Sequence, residues 1–224
     1  MDFELSDEQL LLQQTASRFA REQIAPVAGG YDQSGEFPRE LIRQAWELGL
    51  ASMSIPSDYG GLGLSSVDQC LVTEEIAWGC SGIGTSIMAN DLGLTPILVA
   101  GSDEQKREWL PPCTEQFRLI AFCLSEPEAG SDVAGLRLRA ERDGPDYRLH
   151  GTKCWITNGG EADLYTVFAT LDPGKRHAGI CAFVVPADAP GISHGKKEDK
   201  MGQRASDTRV VNFDGVRPGI GFLA

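Results

Sequence analysis

The chain has little positive charge and no long hydrophobic run. It carries 20 Lys and Arg against 32 Asp and Glu, a formal net charge of -12, and it lacks a basic block that could neutralise a phosphate backbone. Nucleic acid is therefore not an expected partner. No stretch approaches the roughly 20 consecutive apolar residues that cross a bilayer, so we expect no membrane span.

Metal-binding and targeting signals are also lacking. The six cysteines are scattered without a Cys-x-x-Cys spacing, and the three histidines lie far apart. We therefore expect buried, reduced thiols and no metal site. The first residues, MDFELSDEQLLLQQ, are acidic and lack the basic or Arg-rich pattern of secretory and organellar leaders, which predicts a cytoplasmic location.

What is present divides into two halves of different periodicity. Residues 1–118 have the 3.6-residue apolar period of helices, which predicts an N-terminal helical domain. Ser6 and Gln9 have the spacing of a capping box at the start of the first helix, and Pro26 is expected to end that helix. Further helix starts are predicted near Ser65, near Asp91 and at Ser102.

Residues 119–224 predict a second, β-rich domain, so the expected fold class is α+β. Short β-rich runs are separated by Gly, Pro and Asp, which is typical of a small antiparallel β-barrel or sandwich. Asp143-Gly144 is a hairpin signal, because both residues tolerate the positive φ of tight turns. The predicted strands cover 119–124, 136–141, 147–156, 163–169, 179–185 and 208–213.

Two segments of the β half have residues suited to a ligand. In loop A (residues 122–135, FCLSEPEAGSDVAG), small residues and hydroxyls could hold an anion or a ring edge, although an ordinary polar loop has the same composition. Loop B (residues 155–160, WITNGG) places Trp155 and Thr157 on one face of a strand. That face suits a flat heteroaromatic cofactor, and a core Trp with a neighbouring Thr is the alternative.

Together, loops A and B resemble the flavin-holding loops of the acyl-CoA dehydrogenase family, of the short- or medium-chain type. In loop A the family pattern is matched by CLSE at residues 123–126, GSD at 130–132 and Gly135, and loop B matches the family's WITNGG. Residues 55–63 and 195–202 are similar to further family segments. All four segments stand in family order, so the resemblance covers nearly the whole chain.

The resemblance implies an FAD enzyme that removes the α-proton of an acyl-CoA thioester while the β-hydride passes to flavin N5. Trp155 would cover one face of the flavin ring, Thr157 would approach N5, and Ser131 would lie between the flavin pyrophosphate and the CoA arm, as a substrate contact. The electron acceptor would be an electron-transfer flavoprotein, and relatives form homo-oligomers. The implied cofactor-binding residues are Phe122, Cys123, Leu124, Ser125, Gly130, Ser131, Trp155, Ile156 and Thr157.

The chain as printed departs from the family pattern at its end. Family members continue into a helical bundle that supplies the catalytic carboxylate, whereas the printed sequence stops at Ala224. No catalytic residue is therefore assigned, because Glu126 and Asp132 occupy positions that support loop A in the family. We expect impaired turnover from this chain alone. The alternatives are a catalytically inert flavin- or acyl-CoA-binding fragment and an acyl-CoA oxidase, and the preferred acyl-chain length stays open.

Overall fold

The computed structural model describes residues 4–218, which form two compact units. The first comprises the chain up to Asp91 together with Asp199–Ser206, and the second comprises Leu92–Glu198 and the chain from Asp207 onward. The domain boundary predicted at residues 118 and 119 stays a prediction. The helices are α1 (Asp7–Phe19), α2 (Ala25–Ser34), α3 (Arg39–Glu47), α4 (Ser66–Gly79), α5 (Ser81–Ala100), α6 (Asp103–Trp109) and α7 (Pro111–Glu115).

Three helices begin where the sequence predicts. Ser6, Ser65 and Ser102 are the N-caps of α1, α4 and α6, and each side chain accepts a hydrogen bond from the backbone N–H three residues later. The side chain of that third residue returns a bond to the cap backbone, which completes a capping box. Local hydrogen bonding of this kind satisfies two orphan donors, so it can be predicted from spacing alone.

Pro26 does not end the first helix, contrary to the sequence prediction. After α1 the chain widens into one π-helical turn, Ala20–Ile24, and continues directly into α2. Pro26 lies in the first turn of α2, where its missing N–H forfeits no helical bond. The helical course ends at Gly35, whose φ of 67° is left-handed.

The helix start predicted near Asp91 is also wrong, because Asp91 lies inside α5. Its buried carboxylate accepts bonds from Ser54 N at 2.8 Å and from Ser54 Oγ at 2.7 Å. α5 is long and apolar enough to cross a membrane by length and composition, with a mean hydropathy of 1.3, and 61% of it is buried within the structure. Scattered polar residues hid this helix from a search for unbroken apolar runs. A buried core helix has the same composition.

The second unit contains the strands β1 (Ile120–Cys123), β2 (Arg139–Asp143), β3 (Asp146–Thr157), β4 (Leu164–Thr170), β5 (Ile180–Pro186), β6 (Ile192–His194) and β7 (Thr208–Val216). They form one sheet in the order β1-β4-β2-β3-β7-β6, with β5 paired to β4. The α+β class is confirmed. The β2–β3 hairpin turns at Gly144-Pro145, one residue later than predicted, because Asp143 and Asp146 form the last pair.

The sheet is mixed, whereas the sequence predicted an antiparallel one. β1 and β2 each pair in parallel with β4, and the remaining pairings are antiparallel. Parallel neighbours need a long connection. Loop A and the β2–β3 hairpin together provide that connection between β1 and β4, which local turn signals do not show.

The core of the second unit is apolar and includes most of the thiols. Tyr165, Phe183 and Val211 are among its fully buried side chains. Burial raises the pKa of the Cys113 and Cys181 thiols to about 12, which keeps them protonated and unreactive. The expectation that all six cysteines are buried is wrong for Cys80, which is half-buried, and for Cys70, which is exposed on α4. That helix buries its Val72 face instead.

Candidate cofactor site

Loop A leaves the end of β1 and closes on itself. Glu126 N donates to Ala129 O at 3.0 Å, and Ala129 N donates to Glu126 O at 3.2 Å. This two-bond turn leaves Gly130 and Ser131 exposed. A Cβ added at Gly130 would meet no atom within 4 Å, so this position is open to a ligand and sterically tolerant of a side chain.

Loop B begins at a bulge in β3. The pairing of β3 with β7 shifts between Lys153 and Ile156, and Trp155 within the bulge has a φ of 59°. A bulky residue in this left-handed region is strained. Trp155 is 65% exposed, while Ile156 is buried. The bulge interrupts the strand alternation at Trp155, so the face that Trp155 and Thr157 were predicted to share stays a prediction.

Loops A and B are hydrogen-bonded to each other through the residues that adjoin them. Cys154 N donates to Ser125 O at 2.9 Å. The Lys153 ammonium donates to Leu124 O at 2.9 Å and to the Glu126 carboxylate at 2.7 Å. The two segments that the sequence singled out separately therefore form one structural unit.

Glu126 and Lys153 are both buried, with side chains 6% and 0% exposed. The Glu126 carboxylate also accepts bonds from Arg137 N at 2.6 Å and Leu138 N at 2.9 Å. Burial lowers the pKa of the Lys153 ammonium, against the opposing effect of its bond to Glu126. The pair thus connects loop A, the start of β2 and the start of loop B.

A second set of hydrogen bonds holds loop B at Gly159. The buried Tyr165 hydroxyl donates to Gly159 O at 2.8 Å and lies 2.8 Å from His194 Nε2. The hydroxyl has one proton and also accepts, so it can receive a bond from His194 in the tautomer that carries the proton on Nε2. Burial, reinforced by the nearby Arg209 charge, lowers the pKa of His194, and burial raises that of Tyr165.

Asp207 is the other support of loop B. Its buried carboxylate accepts bonds from Gly160 N at 2.7 Å and from Arg209 Nε at 2.8 Å. Its backbone carbonyl accepts from Asn158 N at 2.7 Å. Asn158 has a φ of 59°, a conformation that Asn tolerates. Loop B is therefore fixed at three consecutive residues.

The nine predicted site residues differ in what they can offer a ligand. Cys123 and Ile156 are buried, so only their backbone can take part. Phe122 is half-buried and packs edge-to-face on Phe168 at 5.0 Å between ring centroids. Leu124, Ser125 and Thr157 are half-buried, and Gly130, Ser131 and Trp155 are exposed. Their contacts with a cofactor stay predictions.

Sequence reasoning missed Lys153, Tyr165 and Asp207, which position the loops. The sequence did contain a signal for Lys153, because it is a lysine inside a β-rich run. A lysine that is buried in such a run seldom lacks a partner. Nothing in the sequence indicated that Glu126 would be that partner. Among residues 4–218, no group of three or more His, Cys, Asp or Glu is placed to hold a metal ion.

The residues present fit a flat, hydrogen-bonding cofactor such as a flavin. Trp155 offers an exposed aromatic face, and the half-buried Thr157 two residues later offers a hydroxyl. Gly130 and Ser131 leave open space and a second hydroxyl in loop A. A ring stacked on Trp155 would gain about 0.5–1.5 kcal/mol beyond its area burial.

Comparison with known proteins agrees with this geometry. The family models described as acyl-CoA dehydrogenase N-terminal domain and middle domain match residues 6–116 and 121–216. A protein of Caenorhabditis briggsae named probable medium-chain specific acyl-CoA dehydrogenase 2, mitochondrial, is 41% identical over 99% of this chain and 57% of its own length. The mitochondrial short-chain specific acyl-CoA dehydrogenase of Rattus norvegicus is 39% identical over 98% of this chain and 56% of its own length.

Solved structures give the same result. A chain from a structure described as the electron transferring flavoprotein of Acidaminococcus fermentans superposes with a TM-score of 0.95 at 37% identity, covering 100% of this chain and 60% of its own. Butyryl-CoA dehydrogenase from Megasphaera elsdenii gives 0.93 at 36%, with the same coverage. Glutaryl-CoA dehydrogenase from Mycobacterium smegmatis, in complex with FADH2, gives 0.88 at 36%, covering 98% and 56%.

The present chain spans a little over half the length of these curated relatives, 57% and 56%. Both family models match in the expected order and together cover most of the chain. The chain belongs to the acyl-CoA dehydrogenase family.

Proposed function

We propose that this chain is the flavin-holding part of an FAD-dependent acyl-CoA dehydrogenase, which introduces a double bond between the α and β carbons of an acyl-CoA thioester. The observation that carries the proposal is the bonded pair of loops. Cys154 N donates to Ser125 O between them, and loop B presents Trp155 beside Thr157. FAD supplies the hydride acceptor when bound, and the M. smegmatis relative with FADH2 supports that choice.

Each loop has a distinct task in this proposal. Trp155 covers one face of the flavin and excludes water from it, while Thr157 orients the ring edge by a hydrogen bond. The peptide groups of Leu124 and Ser125 line the other edge, since backbone N–H groups stabilise negative charge that develops on a ring. The exposed Ser131 hydroxyl binds between the pyrophosphate and the CoA arm.

None of the three carboxylates of loop A is suited to remove the α-proton. Glu128 forms an ion pair with Arg137. Glu126 is buried, with Lys153 and two backbone N–H groups on its oxygens. Asp132 forms a two-oxygen ion pair with Arg176 at 2.9 and 3.1 Å. We therefore propose a base outside loops A and B. A general base typically contributes about 10²–10⁴-fold, so loops A and B are expected to support only slow turnover without it.

The proposed substrates are short- or medium-chain acyl-CoA thioesters, as the names of the two relatives suggest. The proposed electron acceptor is an electron-transfer flavoprotein, which agrees with the description of the A. fermentans structure. The cytoplasmic location stays a prediction, and both relatives carry the word mitochondrial in their names.

The test is a visible absorption spectrum of the purified chain after incubation with FAD and removal of free flavin, before and after butyryl- or octanoyl-CoA is added anaerobically. Retained flavin that bleaches with a thioester supports a dehydrogenase and gives its chain-length preference. Retained flavin that does not bleach supports an inert binding module. Loss of all flavin from the chain overturns its role as the flavin-holding part, and rapid reoxidation by oxygen after bleaching indicates an oxidase.

A further inference from the structure

The buried pair Lys153–Glu126 lies where loops A and B meet. The ammonium and carboxylate are 2.7 Å apart with side chains 0% and 6% exposed. Such a pair is an inefficient way to stabilise a fold, because the desolvation of two charges offsets most of their attraction. Apolar side chains of similar volume would pack as well. Its position therefore calls for an explanation other than stability.

Lys153 contacts the backbone of loop A as well as its carboxylate. Its ammonium donates to Leu124 O at 2.9 Å, and the N–H of the same peptide group belongs to Ser125. A cation bonded to a peptide carbonyl polarises the whole group and strengthens its N–H as a donor. Ser125 O at the same time accepts the Cys154 N–H, so this residue is held from both sides.

Glu126 fixes the other end of the arrangement. Its carboxylate takes the Lys153 charge and the N–H groups of Arg137 and Leu138. The turn closed by Glu126 and Ala129 therefore cannot shift without breaking three charge-assisted bonds. The start of β2 is bonded to the same carboxylate and is therefore fixed to this turn.

We propose that Lys153 and Glu126 are positioning residues for the flavin. They lock loop A against loop B, and the Lys153 ammonium strengthens the Ser125 N–H as a donor to the flavin ring. This inference rests on the proposed function. It concerns two residues that contact the cofactor only through the backbone they hold.

Lys153→Met, Glu126→Gln and the double variant test the proposal, with Leu149→Ala as a matched control. Leu149 is fully buried in the same strand and pairs with Ala140 and Val216, away from the loops. FAD dissociation constants are measured by fluorescence quenching and stability by thermal unfolding. Because Lys153→Met removes the charged donor that holds the Leu124 carbonyl, we expect FAD to bind about 10- to 100-fold more weakly in this variant.

The single variants should differ from each other. Glu126→Gln leaves the Lys153 charge buried without its anion, whereas Lys153→Met leaves Glu126 with two backbone donors, so Glu126→Gln should be the weaker binder. The double variant should bind better than the product of the two single losses. The bound flavin of Lys153→Met should also have a more negative reduction potential than wild type. Leu149→Ala should lower the melting temperature without changing either quantity.

Amide hydrogen exchange of the flavin-free chain separates this proposal from the proposed function. The Cys154 amide should exchange at least about tenfold faster in Lys153→Met than in Leu149→Ala at the same distance below each melting temperature. Faster exchange in a chain that retains no FAD would uphold the loop coupling and sink only the flavin assignment. Equal exchange and equal FAD affinity in Lys153→Met and the Leu149 control would overturn the positioning role.

Discussion

Substitutions at Trp155 can separate the free-energy cost of its strained backbone from the contribution of its ring to flavin binding. With a φ of 59° it occupies a backbone region that costs an L-residue roughly 1–2 kcal/mol and costs glycine nothing. Trp155→Ala and Trp155→Gly lose the same ring contacts, which are modest because the side chain is 65% exposed. The two variants therefore differ mainly in backbone strain.

The Gly variant should be the more stable of the two. Glycine loses about 0.5–1 kcal/mol in unfolded-chain entropy relative to alanine, so the midpoints of the two ranges leave the Gly variant a net advantage of about 0.75 kcal/mol. Urea unfolding followed by far-UV circular dichroism measures it. An Ala variant as stable as the Gly variant would refute the argument that residue 155 is held in a strained conformation.

The affinity for FAD should depend on the aromatic ring at position 155 and not on the stability of the variant. Both variants lose the stacking face, so FAD should bind about two- to tenfold more weakly in each. Trp155→Phe retains an aromatic face and should bind more tightly than either. Unchanged affinity in Trp155→Ala would show that the ring does not stack on the flavin.

Four further substitutions test the folds of the two units. Tyr165→Phe leaves the buried Gly159 carbonyl without its donor and should cost about 1–3 kcal/mol in urea unfolding, and no loss would show that water replaces the hydroxyl. Burial raises the Asp91 pKa above its ordinary 3.8. The stability of wild type relative to Asp91→Asn should therefore fall as pH rises from about 4 to 7. A rise in this relative stability would contradict a raised pKa. A Cβ at Gly61 would overlap the backbone oxygen of Ile55, whereas one at Gly30 in α2 would meet no atom within 4 Å. Gly61→Ala should therefore lower the melting temperature, and Gly30→Ala should raise it.

The features that the sequence predicted correctly depend on short-range interactions. Ser6, Ser65 and Ser102 could be recognised because the bonds of a capping box lie within four residues. The predicted strands correspond to β1–β5 and β7. The errors at Pro26 and Asp91 arose where a π-helical turn and a long helix with scattered polar residues override local signals.

The candidate site divides in the same way. Residue types and motif order were enough to select loops A and B, because a flavin needs small residues, hydroxyls and an aromatic face at those positions. Which residues offer side chains and which only backbone depends on burial, and Cys123 and Ile156 are enclosed. The pairing of Lys153 with Glu126 joins a residue of β3 to a residue of loop A that is 27 positions earlier in the sequence, so no local pattern predicts it.

Two departures from ordinary protein design meet at loops A and B. A lysine is buried with a carboxylate, and a tryptophan is exposed on a left-handed backbone. Each costs free energy that an apolar pair or a glycine would avoid. When such costs gather at one place, a shared use explains them better than separate accidents of packing. In the proposed function, the fixed loops and the exposed ring together hold a flat cofactor in one orientation.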